Sequence, residues 1–169
     1  LILPAWMGID KEAKTAAAEL EKAGYIAFIA DIYGVGNTPT DYASAGKMAG
    51  SYKQNFEAYQ TRIALALEKL KKNGANPGKI AVIGYCFGGT GALEVARGKM
   101  PVSGIVSIHG GIGKDAARKN VAISTKMLIE NGADDESITP ENYNSLVTEM
   151  KEGKADWQII TYANSKHTF

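Results

Sequence analysis

The chain has 169 residues, 45% hydrophobic and 22% charged, the make-up of one soluble domain with a substantial core. Nineteen basic residues against 18 acidic ones leave a formal charge of +1 with no block of like charge, so composition gives no footprint for nucleic acid or an anionic membrane. One cysteine excludes an internal disulfide, and no apolar run approaches the roughly 20 residues that a membrane-spanning helix needs.

Leu1 to Pro4 read as the end of a strand already in progress, and Phe169 follows directly on a polar loop. The expectation is a piece of a longer polypeptide that is soluble, with a cytoplasmic place favoured, and monomeric or a small homo-oligomer. Ala5-Trp6-Met7-Gly8-Ile9 is a strand-to-helix loop. Asp10 is a good N-cap for a helix over Lys11 to Ala23, with Ala13, Ala16, Ala17 and Leu20 on one face and Gly24 as its stop. Tyr25 to Ala30 predicts a second buried strand, and Gly34 to Asp41 a loop with turn chemistry. Gly34-Val35-Gly36 lacks the third glycine of a dinucleotide fingerprint, so phosphate binding is not expected there. Phe56, Ile63, Leu67 and Leu70 fall near helical spacing and predict one long amphipathic helix over Tyr52 to Lys72.

Lys79 to Ile83 is a short, mostly apolar run of the kind that fills a doubly covered strand, and Gly88 to Arg97 can continue as a helix. Between them stands Gly84-Tyr85-Cys86-Phe87-Gly88, a G-x-nucleophile-x-G elbow with cysteine in the usual place of serine. Swinging the chain from strand to helix in so few residues crowds the backbone around the nucleophile, and glycine removes the flanking side chains. A lone cysteine by itself reads as a small buried hydrophobe. Here the turn would set Cys86 at a helix N-terminus, where free N–H groups favour thiolate, and would aim the Phe87 N–H at an oxyanion.

Gly104 to Ile108, Thr125 to Ile129 and Asp156 to Tyr162 predict three further strands, with a helix from Pro140 to about Lys151 opened by proline. Strands alternate with helices, which argues a mostly parallel, doubly wound α/β sheet with helices on both faces. In such a sheet, sites form at the carboxyl ends of the strands. Cys86, Asp135 and His167 each follow a predicted strand, in the order nucleophile, acid, histidine, which is the chain order of the α/β-hydrolase triad. His167 would pair with the thiolate and protonate the leaving group, the carboxylate would orient the imidazole, and Phe87 N–H with a donor from the Trp6 loop would form the oxyanion hole. Asp134 competes with Asp135; the G-x-x-D count from Gly132 favours Asp135. His109 and Tyr85 are expected near the substrate pocket, and Trp6 either lines that pocket or caps the core.

With these residues in view, the sequence resembles the dienelactone hydrolase family over essentially its whole length. The likeness is carried by Gly84 to Gly89, Ala30-Asp31-Ile32-Tyr33-Gly34, Val106 to Gly111, Asn131 to Asp135, and Ala155 to Gln158 followed by His167-Thr168-Phe169. It implies a single α/β-hydrolase domain over residues 1–169, no metal or organic cofactor, and a Cys86-His167-Asp135 triad. It also implies hydrolysis of a small carboxylic ester or lactone through a thioester acyl-enzyme. One departure stands out: the family commonly carries a glutamate in the loop after the first core strand, and Ala5 holds that place. Its absence would leave activation of the thiol to His167 alone. Arg62, Arg97 and Arg118 compete for the family's contacts to a substrate carboxylate, and sequence does not choose among them. Two other readings stand beside the hydrolase: a weakly active member that binds a small acyl or lactone ligand, and an oxidant-sensing thiol.

Overall fold

The computed structural model describes residues 1–169. Strands β1 (Ile2–Leu3), β2 (Ala81–Tyr85), β3 (Gly104–Ile108), β4 (Lys126–Gly132) and β5 (Trp157–Tyr162) form one parallel sheet in that order. Helices α1 (Lys11–Lys22), α2 (Tyr42–Gln54), α3 (Phe56–Lys72), α4 (Phe87–Arg97) and α5 (Pro140–Glu152) connect them. None is long and apolar enough to cross a membrane.

The edge beyond β1 is where expectation and structure part. Tyr25 to Ala30 forms no full strand; it pairs only through Ile29 with Ile2, and Tyr25 and Ile26 stand in solvent. The segment has a partner on one side alone, and β1 offers it just two hydrogen bonds, from Ile2 N–H to Phe28 O and from Ala30 N–H to Ile2 O. Its position still reveals the topology. From β1 the chain crosses to this outer segment through α1, then returns through α2 and α3 to β2 on the other side of β1. The direction of winding reverses there, which makes the space beyond the ends of β1 and β2 the topological switch point. Right-handed crossovers then put α1 on one face of the sheet and α3, α4 and α5 on the other.

The second face carries most of the core. Val82, Ile105, Met127 and Ile129 point into it and meet Tyr59, Ile63, Leu67 and Leu70 of α3, Leu93 of α4 and Leu146 and Met150 of α5. Each such side chain contributes about 1.5–3 kcal/mol by leaving water. The alternate residues Ile83, Val106 and Leu128 lie on the α1 face and are only half-buried. The long helix expected over Tyr52 to Lys72 is broken at Asn55, whose φ of −110° and ψ of 77° leave the helical region. Its side chain accepts the Ala58 N–H and caps α3. The preceding helix starts ten residues earlier than expected, from a capping box of Asp41 with Ser44.

Between α4 and α5 lies a buried ion network. Arg97 donates to both oxygens of Glu149 at 3.1 and 2.9 Å and to Glu94 at 3.1 Å. Its remaining N–H capacity goes to the carbonyls of Ile112 and Gly113. Arg118 closes bidentately on Glu94 at 2.9 Å and lies over the Phe56 ring. Lys114 reaches Glu149 and Asn120. Five charges thus tie the irregular 111–120 loop to two helices. Removing Arg97 strips Glu149 of its bidentate partner and leaves it only Lys114 at 3.6 Å, while Glu94 keeps Arg118, so Arg97→Met is expected to cost about 1–3 kcal/mol of unfolding free energy, read from urea denaturation.

Candidate active site

The strand-to-helix turn after β2 is as tight as the sequence implied. A Cβ on Gly84 would overlap the Gly88 carbonyl, and one on Gly88 would overlap the carbonyls of Leu3 and Pro4. Only with both side chains absent can the turn fold back against β1. Cys86 occupies it with φ 53° and ψ −113°, a conformation that costs a non-glycine residue roughly 1–3 kcal/mol. The Phe87 side chain is buried and stacks on Tyr59 with ring centroids 4.5 Å apart. Its backbone N–H, first of α4, faces the Cys86 sulfur.

His167 arrives from the far end of the sheet. After β5 the chain turns back across the end of β4, with Ala133 N–H donating to Tyr162 O and Asp134 N–H to Ser165 O. Gly132 permits this crossing, since a side chain there would strike the Ser165 carbonyl. The result is a continuous line: Cys86 Sγ to His167 Nε2 at 3.2 Å, and His167 Nδ1 to Asp135 Oδ2 at 2.8 Å. Asp135 Oδ1 accepts both the N–H and the hydroxyl of Ser137. Burial alone would raise the Asp135 carboxyl; the bonds from Ser137 and His167 outweigh it and hold the group below the ordinary carboxylate range. Asp134 is exposed at the rim of the cleft, so geometry separates the two adjacent acids.

A cavity of about 540 Å³ opens on this line, walled by Lys53, Gly111, Asp134, Glu136, Ser137 and Lys166. Of the three residues expected in the pocket, none lines this cavity. Trp6 stacks on Tyr42 at 5.7 Å, with its carbonyl held by the Tyr33 hydroxyl, and its N–H has no acceptor in the protein. Tyr85 points to the other face of the sheet, beside Asp10 and Glu12 of the first helix turn. His109 lies buried beneath Cys86. Lys53, Ser137 and Lys166 are wall residues that sequence reading missed. The Asp-x-Ser spacing from Asp135 is a turn signal that marks Ser137, whereas Lys53 depends on the unexpected break at Asn55.

The arginines are all committed elsewhere. Arg62 donates to the carbonyls of Asp31 and Ile32, and Arg97 and Arg118 belong to the buried network. The cations that face the cavity are Lys53 and Lys166. Cys86, His109 and His167 each bring a donor atom within 4.8 Å of the others. Those atoms are engaged: both His167 nitrogens in the line to Cys86 and Asp135, and His109 Nδ1 with the Cys86 N–H. They form a hydrogen-bonded set in which a cation would have to break the His167 contacts.

Burial pushes the Cys86 thiol above its ordinary value of 9.0, and nearby Asp135 and Glu12 add to the rise. The Phe87 N–H and the Lys53 ammonium pull the other way without prevailing. The helix N-terminus therefore supports the thiolate less than desolvation opposes it.

A parallel α/β sheet with a strained strand-to-helix turn at its switch point, and thiol, imidazole and carboxylate in line across it, defines the α/β-hydrolase class. Comparison with known proteins narrows the class. The model of the dienelactone hydrolase family matches residues 1–169. The probable 2-oxo-3-(5-oxofuran-2-ylidene)propanoate lactonase of Bradyrhizobium sp is 23% identical over 180 residues, covering all of this chain and 72% of that protein. Among solved structures, a dienelactone hydrolase-like promiscuous phosphotriesterase from metagenomic libraries superposes with a TM-score of 0.89 at 30% identity, over 99% of this chain and 70% of that one. The protein m3DLH superposes with a TM-score of 0.93 at 28% identity over the same shares. The chain belongs to the dienelactone hydrolase family, a hydrolase of the carboxylic-ester and lactone class.

The electrostatics of Cys86 have a measurable consequence. Its alkylation by iodoacetamide is expected to accelerate as pH rises toward and beyond 9.0, the sign required by a thiol whose neutral form is favoured. Lys53→Met removes a cation that favours the thiolate, so the alkylation profile is expected to move to still higher pH.

Proposed function

We propose that the chain hydrolyses small carboxylic esters or lactones by covalent catalysis at Cys86. The observation that carries this reading is the unbroken line Cys86 Sγ, His167 Nε2, His167 Nδ1, Asp135 Oδ2, with contacts of 3.2 and 2.8 Å. In the resting state the thiol keeps its proton. When an acyl carbonyl settles against the sulfur, His167 Nε2 accepts the thiol proton as the S–C bond forms, and the imidazolium is supported by Asp135. Phe87 N–H, which faces the sulfur in the resting site, and Trp6 N–H receive the oxyanion, neither being bonded to a backbone carbonyl.

Collapse of that intermediate breaks the C–O bond, and the His167 proton passes to the departing alkoxide; in a lactone the alcohol stays attached to the acyl chain. Water then enters from the cleft between Lys53 and Ser137. His167 takes one of its protons, the hydroxide adds to the thioester, and C–S cleavage returns the proton to sulfur. With Ala5 in the loop after β1, no carboxylate from that loop competes for the thiol. His167 is then the base within reach of the thiol.

The test is intact-protein mass spectrometry after brief exposure to p-nitrophenyl acetate. A single acetyl adduct on Cys86 is expected to form and decay in the native chain and to be absent from Cys86→Ala. His167→Ala is expected to slow its formation by at least about 10²-fold. A folded native chain that gains no adduct would instead be a ligand-binding member of the family.

The 30% identical phosphotriesterase favours a second activity at the same site. Attack of Cys86 on an uncharged phosphotriester would expel its best leaving group, with His167 again handling the proton. No arginine faces the cavity to demand an anionic substrate. Slow release of p-nitrophenol from paraoxon is expected from the native chain and not from Cys86→Ala; equal release from both would reject it.

A further inference from the structure

His109 is not accounted for by the line of groups from Cys86 to Asp135. It is buried, at 4% exposure, and its backbone has φ 39°, in the left-handed region that few residues with side chains enter. Its N–H completes the ladder to Glu130 O on β4, so the backbone there is pinned despite the strain. From that position its Nδ1 meets the N–H of Cys86 at 3.1 Å. The same N–H also reaches Ile108 O at 3.0 Å. On its other side the His109 ring meets the ring of His167 edge-on, with centroids 5.0 Å apart, and Phe169 closes over it at 5.9 Å.

We propose that His109 is a positioning residue: its unprotonated Nδ1 holds the main chain of Cys86 in the strained turn, while its ring backs the ring of His167, so that sulfur and imidazole meet. Two residues with left-handed backbones, from turns 23 residues apart, thus restrain each other. Strained backbone persists only where its surroundings over-determine it, and at Cys86 the acceptors of its N–H are Ile108 O and His109 Nδ1. Accepting through Nδ1 places the ring's single proton on Nε2. Burial, with His167 beside it, lowers the pKa of His109 and keeps the ring in the neutral form that this bond needs. An asparagine can occupy a left-handed backbone and offer an amide oxygen near the position of Nδ1; a phenylalanine keeps the ring and offers no acceptor.

The inference rests on Cys86 as the nucleophile, and one set of measurements separates the two claims. Native chain, His109→Phe, His109→Ala, His109→Asn and Cys86→Ala are compared for kcat and KM on p-nitrophenyl acetate, and all but the last for the rate of Cys86 alkylation by iodoacetamide. In His109→Phe and His109→Ala, kcat is expected to fall about 10- to 100-fold with KM within about twofold, and alkylation to slow in parallel. His109→Asn is expected to recover most of both. Loss of KM alone would make His109 a pocket wall and overturn the proposal, as would equal loss in all three variants or no loss in any. Should the Phe variant fail to fold, the contrast of Ala with Asn decides. Activity retained in Cys86→Ala would remove the nucleophile assignment, and the alkylation rates would still judge His109.

Discussion

The structure depends on one crowded turn. Between β2 and α4 the chain must reverse its local geometry while lying against β1, and the carbonyls of Leu3, Pro4 and Gly88 leave no room for a Cβ at Gly84 or Gly88. The same crowding forces Cys86 to φ 53°. The cost of that backbone is met by its surroundings: strands β1 and β3 on either side of β2, Tyr59 stacked under Phe87 and bonded to its carbonyl, and the two acceptors on the Cys86 N–H. A sulfur at the tip of such a turn cannot drift. Its partner can therefore be delivered from a remote loop and still meet it at 3.2 Å.

Charge is used in two different ways around this turn. Behind α4, three cations, Arg97, Arg118 and Lys114, are buried against two carboxylates, Glu94 and Glu149, so their chemistry is spent on holding the 111–120 loop in place. In front of it, Lys53 and Lys166 remain at the cavity surface, where they act on whatever enters. The thiol lies between these regimes. Enclosure raises its pKa, and the Phe87 N–H and Lys53 oppose the rise without prevailing. His167, bonded to Asp135 at 2.8 Å, stands 3.2 Å from the sulfur.

Much of this was legible in the sequence because it is local. The run from Lys79 to Arg97 carries its own strand, turn and helix signals, and the cap Asp10 and the opening Pro140 mark helix starts that the structure reproduces. The order of Cys86, Asp135 and His167 after successive strands pointed to a common edge of the sheet, and Asp135 rather than Asp134 is the acid bonded to His167. What escaped were features decided by neighbours. Tyr25 to Ala30 has the composition of a buried strand, but strand pairing belongs to the partner as much as to the segment, and only Ile2 is there to pair with Ile29. The helix break at Asn55 follows from an Asx cap that competes with helical continuation, and apolar spacing does not register it.

The sequence by itself determined the α/β class, the elbow and the identity of the three groups placed in line, since each rests on residue type and short-range spacing. The tertiary structure decided which charges are free and which faces a side chain meets. Arginines that looked equally available in the sequence are all bonded inside the fold, and Tyr85, next to the cysteine in the chain, points to the opposite side of the sheet. His109 and Cys86, 23 positions apart, share a hydrogen bond. Alternation along a strand sends neighbours to opposite faces, and close packing brings distant residues together. Both depend on the partners that surround a segment in space.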